Sequence, residues 1–206
     1  MRQFRRMGTV PDLADVKQAL SRLRREPEQR LPEGRRAAVA AVLRSGATDL
    51  ELLFILRAKH ARDPWSGQMA WPGGRIETGD ASPLAAAVRE AREEVALDLE
   101  RDAELLGQLS EVRTHLRHGP GPLSVVPFLF HLRGEATPVP NSEVQEALWV
   151  PVDFFRDRAH RGRLVWLGRG VPLAMPCYRY NGRVIWGLTL RMLEEVLRLF
   201  AGGPAK

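Results

Sequence analysis

Between Arg89 and Glu94 the chain reads REAREE, three carboxylates and two guanidiniums in six residues, beside an otherwise alanine-rich run. Ser82 followed by Pro83 supplies a cap and a first position for a helix that continues to about Val95. At roughly 100° per residue, Leu84, Val88, Ala91 and Val95 fall on one side, and Glu90, Glu93 and Glu94 gather on another. Arg89 lies one turn before Glu93 and can pair with it, whereas Arg92 points elsewhere. Carboxylates within a turn of one another repel, and an isolated helix gains nothing from them. A divalent cation reverses the sign of that interaction.

Mixed charges on a helix commonly mark no more than a wetted face. The adjacent glycines Gly73 and Gly74 change that reading, because a chain without Cβ atoms lets a carbonyl approach an ion or a phosphate approach the backbone. Carboxylate and carbonyl oxygens, completed by water and substrate phosphate, are the ligands magnesium prefers. The combination reads as a magnesium-pyrophosphate site, with Glu90, Glu93, Glu94 and the Gly73 carbonyl as candidate ligands.

The elements that must position these groups are legible as periodic segments. PDLADVKQALSRLRRE places Leu13, Val16, Leu20 and Leu23 at helical spacing, with Asp12 as its cap. AAVAAVLR and ELLFILRA read as two strands joined by the turn SGATD, and KHARDPWSGQM as a polar loop leading to the glycines. Beyond the charged helix, AELLGQLSEV and PLSVVPFLFHLRG read as strands, and VPVDFFRDR as a short helix. Asn181 and Gly182 between β-prone arms signal a hairpin, and GLTLRMLEEVLRLF closes the pattern as an amphipathic helix. Strands interleaved with a few helices predict an α/β fold, a mixed sheet between helices.

Composition narrows the classes of function. A chain of 206 residues can form one sizeable domain. It has no apolar run long enough to span a membrane, and its basic start lacks the apolar stretch of a secretory signal, so a soluble cytoplasmic protein is expected. The single cysteine, Cys177, has no disulfide partner and is expected to pack. Residues 1–36 hold ten arginines and lysines against five acids, within a net charge of +6. That arm can attract polyanions. Lysine, however, occurs only at 17, 59 and 206, and an arginine habit explains the arm as well, so nucleic acid is not the expected partner.

The same residues resemble the box of the Nudix hydrolases, G-x5-E-x7-R-E-U-x-E-E-x-G-U with U aliphatic. From Gly74, five residues lead to Asp80 in place of Glu, and the box ends as Arg89, Glu90, Ala91, Arg92, Glu93, Glu94, Val95, Ala96, Leu97. Eight residues rather than seven separate Asp80 from Arg89, and Ala96 replaces the last glycine. The resemblance implies a Nudix-type α/β/α sandwich over residues 36–200, with a basic arm at 1–35 and a tail at 201–206. It also implies metal ligation by Glu90, Glu93 and Glu94, and hydrolysis of a nucleoside diphosphate derivative with Mg2+ or Mn2+. The extra residue, SGQMAWPGG and YRYNGRVIWGLTLRML are similar to the coenzyme A pyrophosphatase subgroup, with Arg57, Gly67, Pro72, Gly73 and Gly74 in register. Trp71 replaces a phenylalanine of that signature, and Asp63 an arginine.

On this basis Arg89, Glu93, Glu94 and Glu143 are the candidate catalytic residues, Glu143 as an additional carboxylate of the kind the family draws from that region. Arg57, Gly74 and Trp71 are the candidate substrate contacts. Arg57 could grip a phosphate or pair with a nearby acid, and Trp71 could stack on adenine or pack under the loop. His115 and His118 read as hydrated loop residues, and Tyr178, Tyr180 and Trp186 as fold. A homodimer is left open.

Overall fold

A computed structural model of the chain describes residues 13–22, 35–47, 49–59, 66–114, 123–168 and 171–201. The expected cap Asp12, Leu23, Asp63, His115 and His118 lie outside these ranges. In order along the chain the elements are α1 (Leu13–Ser21), β1 (Arg36–Ser45), β2 (Leu50–Arg57), β3 (Met69–Ala70), β4 (Gly73–Arg75) and α2 (Pro83–Val95). Then follow α3 (Leu99–Asp102), β5 (Ala103–Gln108), β6 (Val112–Arg113), β7 (Ser124–Leu132), β8 (Val144–Pro151) and α4 (Val152–Arg156). The described chain ends with β9 (Arg161–Gly168), β10 (Val171–Tyr180), β11 (Arg183–Trp186) and α5 (Gly187–Phe200).

Eight strands form one mixed sheet along the path β3-β2-β1-β7-β5, with β4 on β1, β6 on β7 and β8 on β2. Among the described residues only β1 and β7 run parallel, from Arg36 opposite Ser124 to Leu43 opposite His131. Because both faces of β1 are covered, its sequence is a continuous apolar run rather than an alternation. Ala38, Ala40 and Val42 share a cluster with Ala86, Ala87, Ala91 and Val95 of α2. Ala37, Ala41 and Leu43 share the other with Val16 and Leu20 of α1 and Leu190, Leu193 and Val196 of α5. The expected α/β/α sandwich is therefore observed, and the small side chains on both β1 and α2 let that helix lie close to the sheet.

Two features of this sheet bear on the site. Strand β1 is shared along one edge: Leu43–Ser45 pair with β2, whereas Ala37–Val39 pair with Arg75–Gly73 of β4. The double glycine is thus strand, fixed against β1 beneath α2. The β2–β8 ladder slips by one residue at Leu56/Arg57, a bulge of the kind that re-aims a side chain.

Sequence and structure differ in the second half. The segment expected as one strand over residues 103–112 breaks into β5 and β6, because Glu195 of α5 accepts from both N–H and Oγ of Ser110 and holds the chain out of the ladder. Strands β8 and β9 were not foreseen; β8 carries Gln145, Glu146 and Trp149 among its apolar residues, and β9 begins with Arg161, Gly162 and Arg163. The hairpin at Asn181 and Gly182 is present, with φ of 47° and 79°, so both central residues take the left-handed conformation of a type I′ turn. Cys177 is buried, as expected.

Candidate active site

Helix α2 begins where the sequence places it. Ser82 Oγ accepts from the Ala85 N–H at 3.1 Å and Pro83 opens the first turn. The helix closes on Ala96, whose φ of 56° puts a residue with a Cβ in the left-handed region. A glycine takes that conformation at no such cost. Beyond it, the chain following β7 is bound back to the helix end: the Val139 N–H donates to Val95 O and the Asn141 N–H to Glu94 O, at 2.9 and 3.0 Å. Those bonds carry Glu143 to the turn before β8, beside α2.

The charged side chains separate into two groups. In the first, Arg89 reaches both oxygens of Asp80, Nε and Nη2 each at 3.0 Å. Its Nη1 donates to Glu90 Oε1 at 2.9 Å and Glu93 Oε2 at 3.2 Å, and Nη2 also reaches the Arg75 carbonyl. Arg89 holds the Asp80 carboxyl below its ordinary range despite burial, assisted by the Glu77 N–H, which donates to Oδ2 at 2.8 Å. This guanidinium therefore ties the loop after β4 to two acids of α2. Arg92 pairs instead with Asp98 and Glu100, away from the cluster.

The second group surrounds Glu94. Its side chain is 3% exposed, Oε2 accepts from the Gly73 N–H at 2.8 Å, and Oε1 lies 3.7 Å from Arg57 Nη1. Burial pushes its carboxyl up to about 7; the Gly73 bond and Arg57 oppose that shift, and the charges of Glu90 and Glu143 add to it. Glu90 is also raised, first by burial and then, against the pull of Arg89, by Glu93 and Glu143. Gly74 explains how Glu90 fits, since a Cβ there would overlap the Glu90 carboxylate. Gly73, with φ of 156°, lies so close to Ala38 and Val39 that a Cβ would strike the β1 backbone.

Among the expected site residues, Arg57 and Gly73 contact Glu94, Gly74 lies against Glu90, and the charge of Glu143 acts on both glutamates. The Glu93 side chain is 56% exposed. Trp71 is a correction. It is 1% exposed and packs on Phe54 in the cluster facing α5, because the strand alternation next to Gly73 turns it inward, so its ring belongs to the core and not to a substrate. Asp80, which sequence reasoning recorded only as a departure from a pattern, is the principal partner of Arg89; the signal was an acid just ahead of the helix cap, within reach of an arginine on the first two turns.

Among the described residues, no three acidic, imidazole or thiol side chains already converge on one point as a metal cluster. Arg89 draws Glu90 and Glu93 to one side, and the Gly73 N–H draws Glu94 to the other. The donor chemistry nevertheless fits a hard divalent cation: the groups are oxygens, and Glu90, Glu94 and Glu143 repel one another across the space beside the glycines.

The model of the family described as NUDIX domain matches residues 34–167, a span that contains every residue of this site. The chain belongs to the Nudix family. Its relatives include proteins named uncharacterized Nudix hydrolase NudL. That of Enterobacter sp. (strain 638) is 34% identical over 153 residues, 70% of this chain and 72% of its own. That of Citrobacter koseri is 30% identical over 182 residues, 84% and 81% respectively. A MutT/nudix family protein from Enterococcus faecalis shares the fold, with a TM-score of 0.55 at 19% identity over 87% of this chain and 64% of that one. The chain is thus a Nudix hydrolase, of a family that generally uses divalent metal ions. Among the described residues, no helix is long and apolar enough to cross a membrane.

Proposed function

We propose that this Nudix hydrolase cleaves the diphosphate of coenzyme A or an acyl-coenzyme A in the cytoplasm, giving 4'-phosphopantetheine and adenosine 3',5'-bisphosphate. The observation that carries the reading is Glu94: a buried carboxylate between the Gly73 N–H and Arg57, facing two further carboxylates. The substrate follows from the subgroup signature, in which Arg57, Gly67, Pro72, Gly73 and Gly74 keep register and one extra residue precedes Arg89. Asp63, standing where that signature has an arginine, favours a second reading with the same chemistry on ADP-ribose, a dinucleotide or a nucleoside triphosphate.

Glu90, Glu93, Glu94 and the Gly73 carbonyl would hold Mg2+ or Mn2+, which neutralises diphosphate charge and acts as a Lewis acid. Arg89 positions rather than reacts: it fixes the rotamers of Glu90 and Glu93 and anchors the loop through Asp80. Arg57, at the bulge beside Glu94, offers its planar fork to a phosphoryl oxygen. Gly74 leaves the room Glu90 occupies. A water attacks one phosphorus, its oxygen forms the new P–O bond, and the bridging oxygen leaves with the other phosphate. The water proton passes to a carboxylate, Glu143 or a member of the Glu93–Glu94 pair.

A panel of coenzyme A, ADP-ribose, diadenosine polyphosphates and nucleoside triphosphates, with Mg2+ or Mn2+ and products identified by mass, tests the assignment. Adenosine 3',5'-bisphosphate from coenzyme A is the expected product. Cleavage of triphosphates alone would remove coenzyme A as the substrate.

A further inference from the structure

Five of the seven large apolar side chains exposed among the described residues lie in one place, the ribbon of β9 and β10. They are Val165, Trp166, Leu167, Val171 and Leu173, between 37% and 70% exposed. The register sets Val165 opposite Ala174 and Leu167 opposite Pro172, so these four share one face. Trp166 lies opposite Leu173 and Gly168 opposite Val171 on the other face. The ribbon is therefore apolar on both sides towards its tip. It also ends in an open edge: β9 is the outer strand of the sheet β11-β10-β9, and among the described residues no strand pairs with its free side. Edge strands are normally protected by central charges, prolines or bulges. From Leu164 to Leu167 β9 has none of these, and its arginines, Arg161 and Arg163, stand only at its start.

We propose that a second copy of this chain covers the ribbon, β9 pairing antiparallel with β9 of the partner about a twofold axis to join the two sheets into one of six strands. An occupant that displaces water from that edge must replace its hydrogen bonds: another strand does so, whereas a lipid surface leaves the N–H and C=O groups without partners. The charges suit a self-pairing: with the strands antiparallel, Arg161 and Arg163 of the two copies lie at opposite ends of the joint. The area is of the right order. The five side chains expose about 500 Å² per chain, and the exposed Pro172, Ala174 and strand backbone bring this towards the roughly 800 Å² per partner of a stable interface. Hydrolysis is expected to be indifferent to the pairing. The opposite end of the ribbon is the one tied near Glu143, through Arg183 and Glu146, and β10 is about 30 Å long.

The test is the mass of the full chain in solution, by sedimentation and light scattering from about 1 to about 100 µM. The wild type is expected as a dimer. Val165→Lys combined with Leu167→Lys places four charges in an isologous joint, so a rise of roughly 100-fold or more in the dimer dissociation constant is expected, with turnover unchanged. As an independent readout, Val165→Cys is expected to cross-link between two copies with a short bis-maleimide, the native Cys177 being buried. A wild type monomeric at the highest concentration, or a dimer that persists in the lysine variant, overturns the proposal. So does a monomer whose ribbon instead binds phosphatidylserine-phosphatidylcholine vesicles.

Discussion

Two carboxylates flank helix α2, Asp80 on the loop that precedes it and Glu94 in its last turn. Asp80, on the Arg89 side, is nearly covered, but a bidentate guanidinium lies on it and its proton affinity falls. Glu94, in the last turn of α2, is more deeply buried and has only one backbone N–H and a guanidinium at 3.7 Å, and its proton affinity rises. Burial acts on both, more strongly on Glu94, and compensation prevails only at Asp80. The first arrangement holds the fold together, and the second leaves negative charge that a bound cation would relieve.

Glu94→Gln breaks the comparison where the effect is largest. The amide oxygen can still accept from the Gly73 N–H, so folding is expected to persist while turnover falls by roughly 10²- to 10⁴-fold. Steady-state rates beside a circular dichroism melt would show both; a folded variant with wild-type turnover removes Glu94 from the site.

The pH dependence of the metal-free protein sharpens it. Glu94 titrates at about 7 in the folded chain against 4.5 ordinarily, so the folded state binds its proton more tightly. That contribution to stability is complete below about pH 4.5 and is lost as pH rises through about 7, by about 3 kcal/mol at most. Glu90, also raised, acts in the same direction, and Asp80, depressed, matters only in more acidic solution. Thermal unfolding in chelator is expected to move to lower temperature from about pH 5 to about pH 8, and Glu94→Gln to flatten the trend. A wild type whose melting is flat across that interval contradicts the burial argument.

Smaller effects belong to the other side of the helix. Arg89→Ala leaves Asp80 covered with the Glu77 N–H in place of its ion pair; a loss of about 2 kcal/mol, discounted because Arg89 is partly exposed, should appear in urea unfolding. An unaltered urea midpoint would mean that Asp80 does not need its partner. Ala96→Gly relieves the left-handed cap and should raise stability by about 0.5–1 kcal/mol in the same assay, with turnover unchanged. A decrease would show that the cap is not strained.

Much of this arrangement was legible in the residues themselves. The continuous apolar runs of β1, β2 and β7, the Ser82–Pro83 start and the Asn181–Gly182 turn are local signals, and each appears where expected. What local pattern could not show were pairings made at a distance. Strand β8 mixes polar and apolar residues and is recruited by the edge of β2, and β9 forms because β10 folds back on it. In the site, acid clustering on α2 was readable, but three-dimensional neighbours decided the roles. Trp71 turned into the core, Asp80 became the clamp of Arg89, and Glu143 came to face Glu90 and Glu94 through backbone bonds from residues 139 and 141 to the end of α2.

The most direct measurement is a Mn2+ titration followed by electron paramagnetic resonance, on the wild type and on a Glu90→Gln, Glu94→Gln variant, with hydrolysis assayed in the same samples. The wild type is expected to remove free Mn2+ from solution, and the variant to lose this binding together with turnover. A variant that takes up Mn2+ like the wild type and still hydrolyses substrate would contradict that expectation.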